Sequence, residues 1–144
     1  MKTFLKENFF KFMIGISALI LSIAVLMYII SITKSPSSLN ERVTGDPIRI
    51  GRLEVAQYDL PEYMTWTQAI KSCKALESGW RLPTKSELNF LYKNKDKIGN
   101  FANLTYWSST EGDYWYGWGQ GFHSGKQYGY DKNKYGGVRA VRAF

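Results

Sequence analysis

The sequence predicts an α+β domain, two helices packed on an antiparallel sheet, that follows a single N-terminal transmembrane helix. Three observations support this prediction. Residues 12–32 form a run without a single charge. Two capping-box motifs, TWTQ at 65–68 and TKSE at 84–87, each precede apolar residues at helical spacing. After Gly99, short aromatic runs alternate with turn signals, which is typical of short antiparallel strands.

The uncharged run 12–32 is long enough to cross a bilayer. As a helix, its 21 residues would extend ~31 Å, about the thickness of the hydrocarbon core. The tail before it, residues 1–11, carries Lys2, Lys6 and Lys11, so we expect this basic tail in the cytoplasm. A cleaved signal peptide is the alternative, although its apolar region is normally shorter. In both cases the C-terminal part faces the periplasm or the cell surface.

The segment 33–47 predicts a flexible linker, because it is rich in Ser, Pro and Gly and poor in large apolar residues. The folded domain is then expected over residues 48–144. It begins with a strand-like run at 49–58, which Gly51 interrupts. No tandem repeat is evident in this part of the chain.

Each predicted helix has one apolar face and a glycine beyond its end. In the first helix the apolar residues recur at i, i+3, i+4 and i+7, and Gly79 follows it. These residues are Trp66, Ala69, Ile70 and Cys73. In the second helix Leu88, Leu91 and Tyr92 mark the inner face, and Gly99 is the expected terminator.

The stretch 114–122 is the most unusual in the chain, since aromatic residues and glycines alternate in it. Its even positions are expected to form one strand face that packs into the core: Tyr114, Tyr116, Trp118, Gln120 and Phe122. Trp115 then points the opposite way, and Tyr128 and Tyr130 follow on the next strand. Exposed rings stack on sugars or anchor protein partners, so Trp115, Tyr128 and Tyr130 are the candidate ligand-binding residues. The alternative is that these rings fill a small core.

The composition leaves little room for catalysis or metal binding. One cysteine and one histidine exclude an internal disulfide and a multi-cysteine or histidine-rich metal centre. Cys73 lies on an apolar helix face, where a thiol is inert packing. No ordered set of carboxylates indicates a calcium site, so we predict no metal, no cofactor and no enzymatic activity. The net charge of +7 is scattered, which does not favour binding to nucleic acid.

Two segments resemble the bacterial Lcl C-terminal domain family, over about residues 48–144. The first is GWRLPTKSEL, and the second is YWSST followed by the terminal VRAVR. Their motif residues are Trp80, Arg81, Leu82, Pro83, Thr84, Glu87, Trp107, Arg139 and Arg142. The resemblance implies a C-type-lectin-like fold related to formylglycine-generating enzymes, with two helices, a small twisted sheet, and paired first and last strands. It also implies an exported module, with adhesion and glycan or polymer binding as the themes.

For the motif residues we expect mainly structural roles. The apolar members should lie in the core, and Thr84 should start the second helix. Arg81 is expected to pair with Glu87, and Arg139 and Arg142 to brace loops rather than bind an anionic ligand. The sequence carries neither the reactive cysteines of the related enzymes nor the sugar-binding motifs of calcium-dependent lectins.

These observations favour a membrane-anchored extracytoplasmic binding or adhesion module, which recognises a polysaccharide or a surface protein through an aromatic-rich face. The alternative is a non-catalytic structural subunit of a membrane protein complex in the bacterial cell envelope. A third hypothesis, an enzyme similar to the formylglycine generators, is disfavoured because the chain has a single cysteine on an apolar helix face.

Overall fold

The computed structural model describes residues 20–28, 39–76 and 78–144. The chain divides into two units, Met1–Ser37 and Ser38–Phe144. In the first unit, residues 20–28 are helical and their side chains are exposed. The rest of the predicted span 12–32, like the predicted basic tail, lies outside the described residues. Within the part of the chain that is described, we find no helix with the length and apolar character needed to cross a membrane.

The second unit is built from short helices and strands. Its described helices are α1 (Leu39–Thr44), α2 (Trp66–Ala75), α3 (Lys85–Lys93) and α4 (Lys95–Ile98). Its described strands are β1 (Ile48–Ile50), β2 (Leu53–Val55), β3 (Thr105–Glu111), β4 (Tyr116–Gly121), β5 (Gln127–Asp131) and β6 (Val141–Ala143). They form two antiparallel sheets, β1-β2-β6 and β3-β4-β5. The α+β class is confirmed, but two three-stranded sheets replace the single predicted sheet.

The first sheet differs from the sequence expectation in its strand order. Gly51 has a φ of +60° and turns the chain, so that the run 49–58 forms a hairpin in which Ile50 pairs with Leu53. The last strand, β6, then pairs with β2, with Leu53 opposite Ala143. The closing strand therefore pairs with the second strand and not with the first.

Residues 39–44, which the sequence analysis placed in the linker, belong to the folded domain. They form α1, and the Val43 side chain is buried in the core. The backbone N–H groups of Gln57 and Tyr58 donate to the carbonyls of Thr44 and Val43, at 3.0 and 3.1 Å. Burial of Val43 and these two hydrogen bonds attach α1 to the chain that follows β2.

Both predicted helices begin at their capping boxes. In α3 the Glu87 N–H donates to Thr84 Oγ1 at 3.2 Å, and the Thr84 N–H donates to Glu87 Oε2 at 2.7 Å. In α2 the Thr65 N–H donates to Gln68 Oε1 at 3.0 Å. Most of the predicted inner faces are buried: Ala69 and Cys73 on α2, and Leu88 and Leu91 on α3. The other predicted members, Trp66, Ile70 and Tyr92, are half-buried against the core clusters.

Candidate ligand-binding groove

The second sheet carries aromatic rings on the face where β4 has glycines. Trp107 on β3 lies opposite Gly119, and Gly119 lies opposite Tyr128 on β5. A Cβ atom at Gly119 would be 3.0 Å from Thr105 Cγ2, so glycine leaves the space in which the neighbouring side chains meet. The Tyr130 ring centroid is 4.7 Å from that of Trp107 and 5.9 Å from that of Tyr128. The structure thus brings two of the predicted site residues, Tyr128 and Tyr130, together.

A groove of about 230 Å³ opens beside Tyr130. Its lining residues are Tyr63, Leu104, Thr105, Tyr130, Tyr135, Gly136 and Gly137. Tyr63 and Tyr135 are 65% and 66% exposed, whereas Tyr130 is half-buried against the fully buried Trp107. The lining is uncharged. We call this set of residues the aromatic groove.

Backbone contacts hold the walls of the aromatic groove together. Met64 and Gly136 exchange two hydrogen bonds, at 3.0 and 2.9 Å. Trp107 Nε1 donates to the Met64 carbonyl at 2.8 Å, and the Tyr130 hydroxyl donates to the Tyr135 carbonyl at 3.2 Å. Glycine is needed at 136, because a Cβ there would lie 2.8 Å from Trp107 Nε1. The groove is therefore largely preformed, as ligand sites usually are.

The chemistry of the aromatic groove is that of neutral hydroxyls and ring faces. Burial raises the pKa of Tyr130, and the neighbouring Tyr128 and Asp131 raise it further, so this phenol is protonated at neutral pH. The Tyr128 hydroxyl forms a hydrogen bond with Thr105 Oγ1 at the groove margin. Such a surface packs against apolar faces and also hydrogen-bonds to hydroxyl or carbonyl groups.

Trp115, the third predicted site residue, does not line the aromatic groove. It lies in the turn between β3 and β4, where Asp113 Oδ1 accepts from the N–H groups of Trp115 and Tyr116, at 2.8 and 2.9 Å. The Trp115 ring packs edge-on against Tyr114, with centroids 4.7 Å apart. The side chains of Tyr114, Trp115 and Tyr116 are 79%, 63% and 46% exposed.

The prediction that Tyr114 and Tyr116 face the core is therefore wrong. Tyr114 lies in the turn before β4, where a period of two does not apply, and Tyr116 is the first residue of the strand and stays exposed beside that turn. Further along the same strand face, Gln120 and Phe122 are buried, which agrees with the expectation.

Sequence reasoning missed two of the three tyrosines of the groove as site residues, Tyr63 and Tyr135. Tyr63 belongs to the loop before α2, and it reaches the groove only through the pairing of Met64 with Gly136. No local spacing reveals that long-range pairing. The available signal was the tripeptide Tyr135-Gly136-Gly137, in which two glycines follow an aromatic residue.

The motif residues around α3 hold the fold. Arg81 Nη1 and Nη2 donate to Glu87 Oε2 and Oε1, both at 2.8 Å. The apolar motif members are buried: Trp80, Leu82, Pro83 and Trp107. Thr84 is the N-cap residue of α3.

The two arginines of the closing segment are occupied by partners within the domain. Arg139 is buried, and its Nε donates to Asp59 Oδ1 at 2.6 Å. It also donates to the backbone carbonyls of Ala56, Gly99 and Asn100. Arg142 Nε donates to Glu54 Oε2 at 2.6 Å. Both guanidinium groups are therefore paired with partners inside the domain, and neither is available as a free charged group at a ligand site.

The titratable groups of catalytic interest lie apart from the aromatic groove. The Cys73 side chain is fully buried in α2, and this burial raises the pKa of its thiol to about 12. His123 is exposed in the turn after β4. Among the described residues, His, Cys, Asp and Glu side chains form no group of three that could hold a metal ion.

The fold of the second unit indicates its structural class. Botrocetin, known from a crystal structure, is similar with a TM-score of 0.52 and 11% sequence identity, and the match covers 69% of this chain and 98% of botrocetin. At this identity the likeness shows the fold alone, and that fold is C-type-lectin-like. The family model of the Lcl C-terminal domain matches residues 41–142, so the chain belongs to this family. No curated protein matches the sequence.

Proposed function

We propose that this chain is a membrane-anchored, extracytoplasmic binding module that recognises a neutral polysaccharide through the aromatic groove. The groove itself carries the proposal, because the rings of Tyr63, Tyr130 and Tyr135 surround an uncharged space of about 230 Å³. The C–H faces of a sugar pack on such rings, and its hydroxyls bond to phenol and threonine oxygens. The volume suits one ring-sized group, with adjoining units of a polymer passing over the exposed rings of Tyr63 and Tyr135.

The anchor part of the proposal is supported by the apolar run 12–32 and by the basic tail before it. Residues 20–28, the described part of the run, are helical and expose apolar side chains all round. A helix with this surface favours lipid over water. The charge difference between the two flanks supports a cytoplasmic N-terminus and an extracytoplasmic domain.

A binding role rather than catalysis is supported by the state of Cys73. Its thiol is buried and protonated, whereas the nucleophilic form of cysteine is an accessible thiolate. The uncharged lining of the aromatic groove likewise offers no acid–base pair.

The test measures binding of the full-length chain, in detergent micelles, to an array of neutral polysaccharides. Tyr63→Ala and Tyr135→Ala should each weaken binding by about tenfold, which corresponds to about 1.4 kcal/mol. Tyr58→Ala is the matched control, because Tyr58 is an exposed tyrosine outside the groove lining. Equal losses in all three variants, or no polysaccharide binding by the unaltered chain, would reject the proposal.

The exposed aromatic turn favours a second candidate function, a structural subunit of a cell-envelope complex. Tyr114, Trp115 and Tyr116 form an apolar tip, and Lys132 Nζ donates to the Asp113 and Tyr114 carbonyls beneath it, at 2.7 and 3.1 Å. Rigid, exposed Tyr and Trp side chains are typical anchors of protein interfaces. Under this hypothesis a partner co-purifies after mild detergent extraction, Trp115→Ala reduces its recovery with little change in melting temperature, and polysaccharides do not bind.

A further inference from the structure

A second cleft lies between α3 and the β3-β4-β5 sheet, and it differs from the aromatic groove in every lining residue. Its volume is about 470 Å³, and its lining consists of Lys85, Ser86, Asn89, Thr110 and Gln127. All five side chains are polar. Gln120, which is fully buried, lies beneath it and bonds to two of the lining residues. We call this site the amide cleft.

Backbone carbonyls fix the orientation of the side-chain amides in the amide cleft. Gln120 Nε2 donates to the Gly125 carbonyl at 3.0 Å, and Gln127 Nε2 donates to the Lys85 carbonyl at 2.7 Å. Because a backbone carbonyl oxygen only accepts, each of these side-chain atoms must be the nitrogen. Gln120 Nε2 also donates to Asn89 Oδ1 at 3.1 Å, and Gln120 Oε1 accepts from Gln127 Nε2 at 3.2 Å.

The network therefore uses the oxygen of Asn89 and the nitrogen of Gln127 internally. Asn89 Nδ2, which carries two N–H donors, and Gln127 Oε1, an acceptor, make no hydrogen bond among the described residues. Both side chains are half-buried at the wall of the cleft. The amide cleft thus presents a fixed donor and a fixed acceptor to a ligand.

A donor and an acceptor on two lining residues that Gln120 bridges form a pattern that complements a carboxamide, whose C=O accepts and whose N–H donates. A carboxylate or a phosphate dianion offers no donor to Gln127 Oε1, and an ammonium group offers no acceptor to Asn89 Nδ2. The Lys85 ammonium keeps its charge, but its position is set by the Trp118 ring, whose centroid lies 2.9 Å from Nζ. Among uncharged groups, a carboxamide offers an acceptor and a donor on separate atoms, whereas a hydroxyl offers both on one oxygen, and comparing the two in the binding test distinguishes them.

We propose that the amide cleft binds the acetamido group of an N-acetylated hexosamine. The volume lies within the usual range of ligand pockets and exceeds what an acetamido group alone would fill. Hydroxyls flank the amide pair and suit a sugar ring: Ser86 is exposed, and Thr110 Oγ1 accepts from the Lys85 N–H at 2.9 Å and keeps its own proton for a ligand oxygen. The site shares no residue with the aromatic groove, so this proposal is tested independently of the proposed function.

The test uses the full-length, ¹⁵N-labelled chain in detergent micelles and follows the side-chain amide signals of Asn89 by NMR. N-acetylglucosamine should shift these signals saturably, whereas glucose, which carries a hydroxyl in place of the acetamido group, should not. Asn89→Asp keeps the Oδ1 acceptor for Gln120 and removes the outward donor. Binding to this variant is followed through the remaining amide signals of the cleft. It should be at least tenfold weaker, and the melting temperature should change little. Lys93→Ala, an exposed position of the same helix, is the control and should bind like the unaltered chain.

A second variant tests the assigned orientation directly. Gln127→Glu keeps an outward oxygen but replaces the inner nitrogen, so that the buried Gln120 Oε1 and the Lys85 carbonyl lose their donor. Its melting temperature should fall well below that of Asn89→Asp. The opposite order of stabilities, equal shifts with glucose, or equally tight binding of an N-acetylated dipeptide amide would each overturn the proposal.

Discussion

Glu87 combines two tasks that usually fall to separate side chains. Its carboxylate accepts from both terminal nitrogens of Arg81 and from the Thr84 N–H, so the same group closes an ion pair and caps α3. The hydrogen bonds from Arg81 are the largest cause that lowers the pKa of Glu87, partial burial opposes them, and the Thr84 backbone adds to the lowering. A lowered pKa means that the folded state favours the charged carboxylate.

Glu87→Gln should therefore destabilise the domain by about 1 kcal/mol at neutral pH, a modest value because both partners are partly exposed. The folded pKa lies below the unfolded one, so this contribution is complete above about pH 4.5 and is lost as the pH falls through the folded pKa. Denaturant unfolding at several pH values measures it. The difference from wild type should shrink in acid, and a difference independent of pH would contradict the assignment. Glu62→Gln, at an exposed carboxylate, is the control for the loss of one surface charge.

At the scale of elements, Trp66 packs α2 against β3 and β4 of the second sheet. The Trp66 indole of α2 lies over Gly117, and its Nε1 donates to the Ser108 carbonyl of β3 at 2.8 Å. Lys132, which directly follows β5, places its Nζ 4.7 Å from the centroid of the Trp66 ring. The absence of a side chain at Gly117 is therefore what allows helix and sheet to approach.

Gly117→Ala should destabilise the domain by about 1–3 kcal/mol, because its Cβ would lie 2.8 Å from the Trp66 indole and the ring would have to move. Gly129→Ala on β5 is the matched control, since the nearest atom to its Cβ is at an ordinary 3.5 Å. Thermal unfolding of both variants measures the difference. Equal melting temperatures would show that Trp66 does not depend on Gly117 in this way.

The elements with local signals were predictable, and the contacts between them were not. Capping boxes and apolar spacing specify α2 and α3 because a helix depends on neighbours three or four residues away. The return of β6 to β2 pairs Leu53 with Ala143, near the two ends of the domain, and alternation alone does not specify such a distant pairing. The hairpin at Gly51 is local, but each of its strands has only three residues, which is too short for a period of two to show. The candidate site divides in the same way: Tyr130 follows from strand pattern, whereas Tyr63 depends on a distant pairing with Gly136.

At the scale of the whole chain, a charge-poor apolar segment precedes a domain whose buried charges are paired. The pairs Arg139–Asp59 and Arg142–Glu54 close the C-terminal strand onto the early part of the domain, which joins the two ends of its sequence. Among the described residues, every member of the two core clusters lies at Val43 or beyond. The task proposed for the apolar segment before this domain is anchoring.

The orientation of the proposed anchor can be tested with the single native cysteine as an internal control. Cys73 is buried with a pKa of about 12, so the wild-type chain should resist a membrane-impermeant maleimide until it is unfolded. Asn133→Cys places a thiol in an exposed turn. The substitution should leave the turn intact, because the hydrogen bond to Asp131 comes from the backbone N–H of Asn133 and not from its side chain. With the domain outside the cytoplasm, this variant should label in bacterial spheroplasts without lysis.

Replacing Lys2, Lys6 and Lys11 by Glu tests the cause of that orientation. The basic flank before the apolar run should then no longer be the more positive one, and Lys34 and Arg42 after it should draw the domain inward. Labelling of the Asn133→Cys thiol should accordingly fall in spheroplasts and return on lysis. Labelling that requires lysis even with the native tail would place the domain in the cytoplasm and overturn the proposed topology, while the binding tests on the aromatic groove would be unaffected.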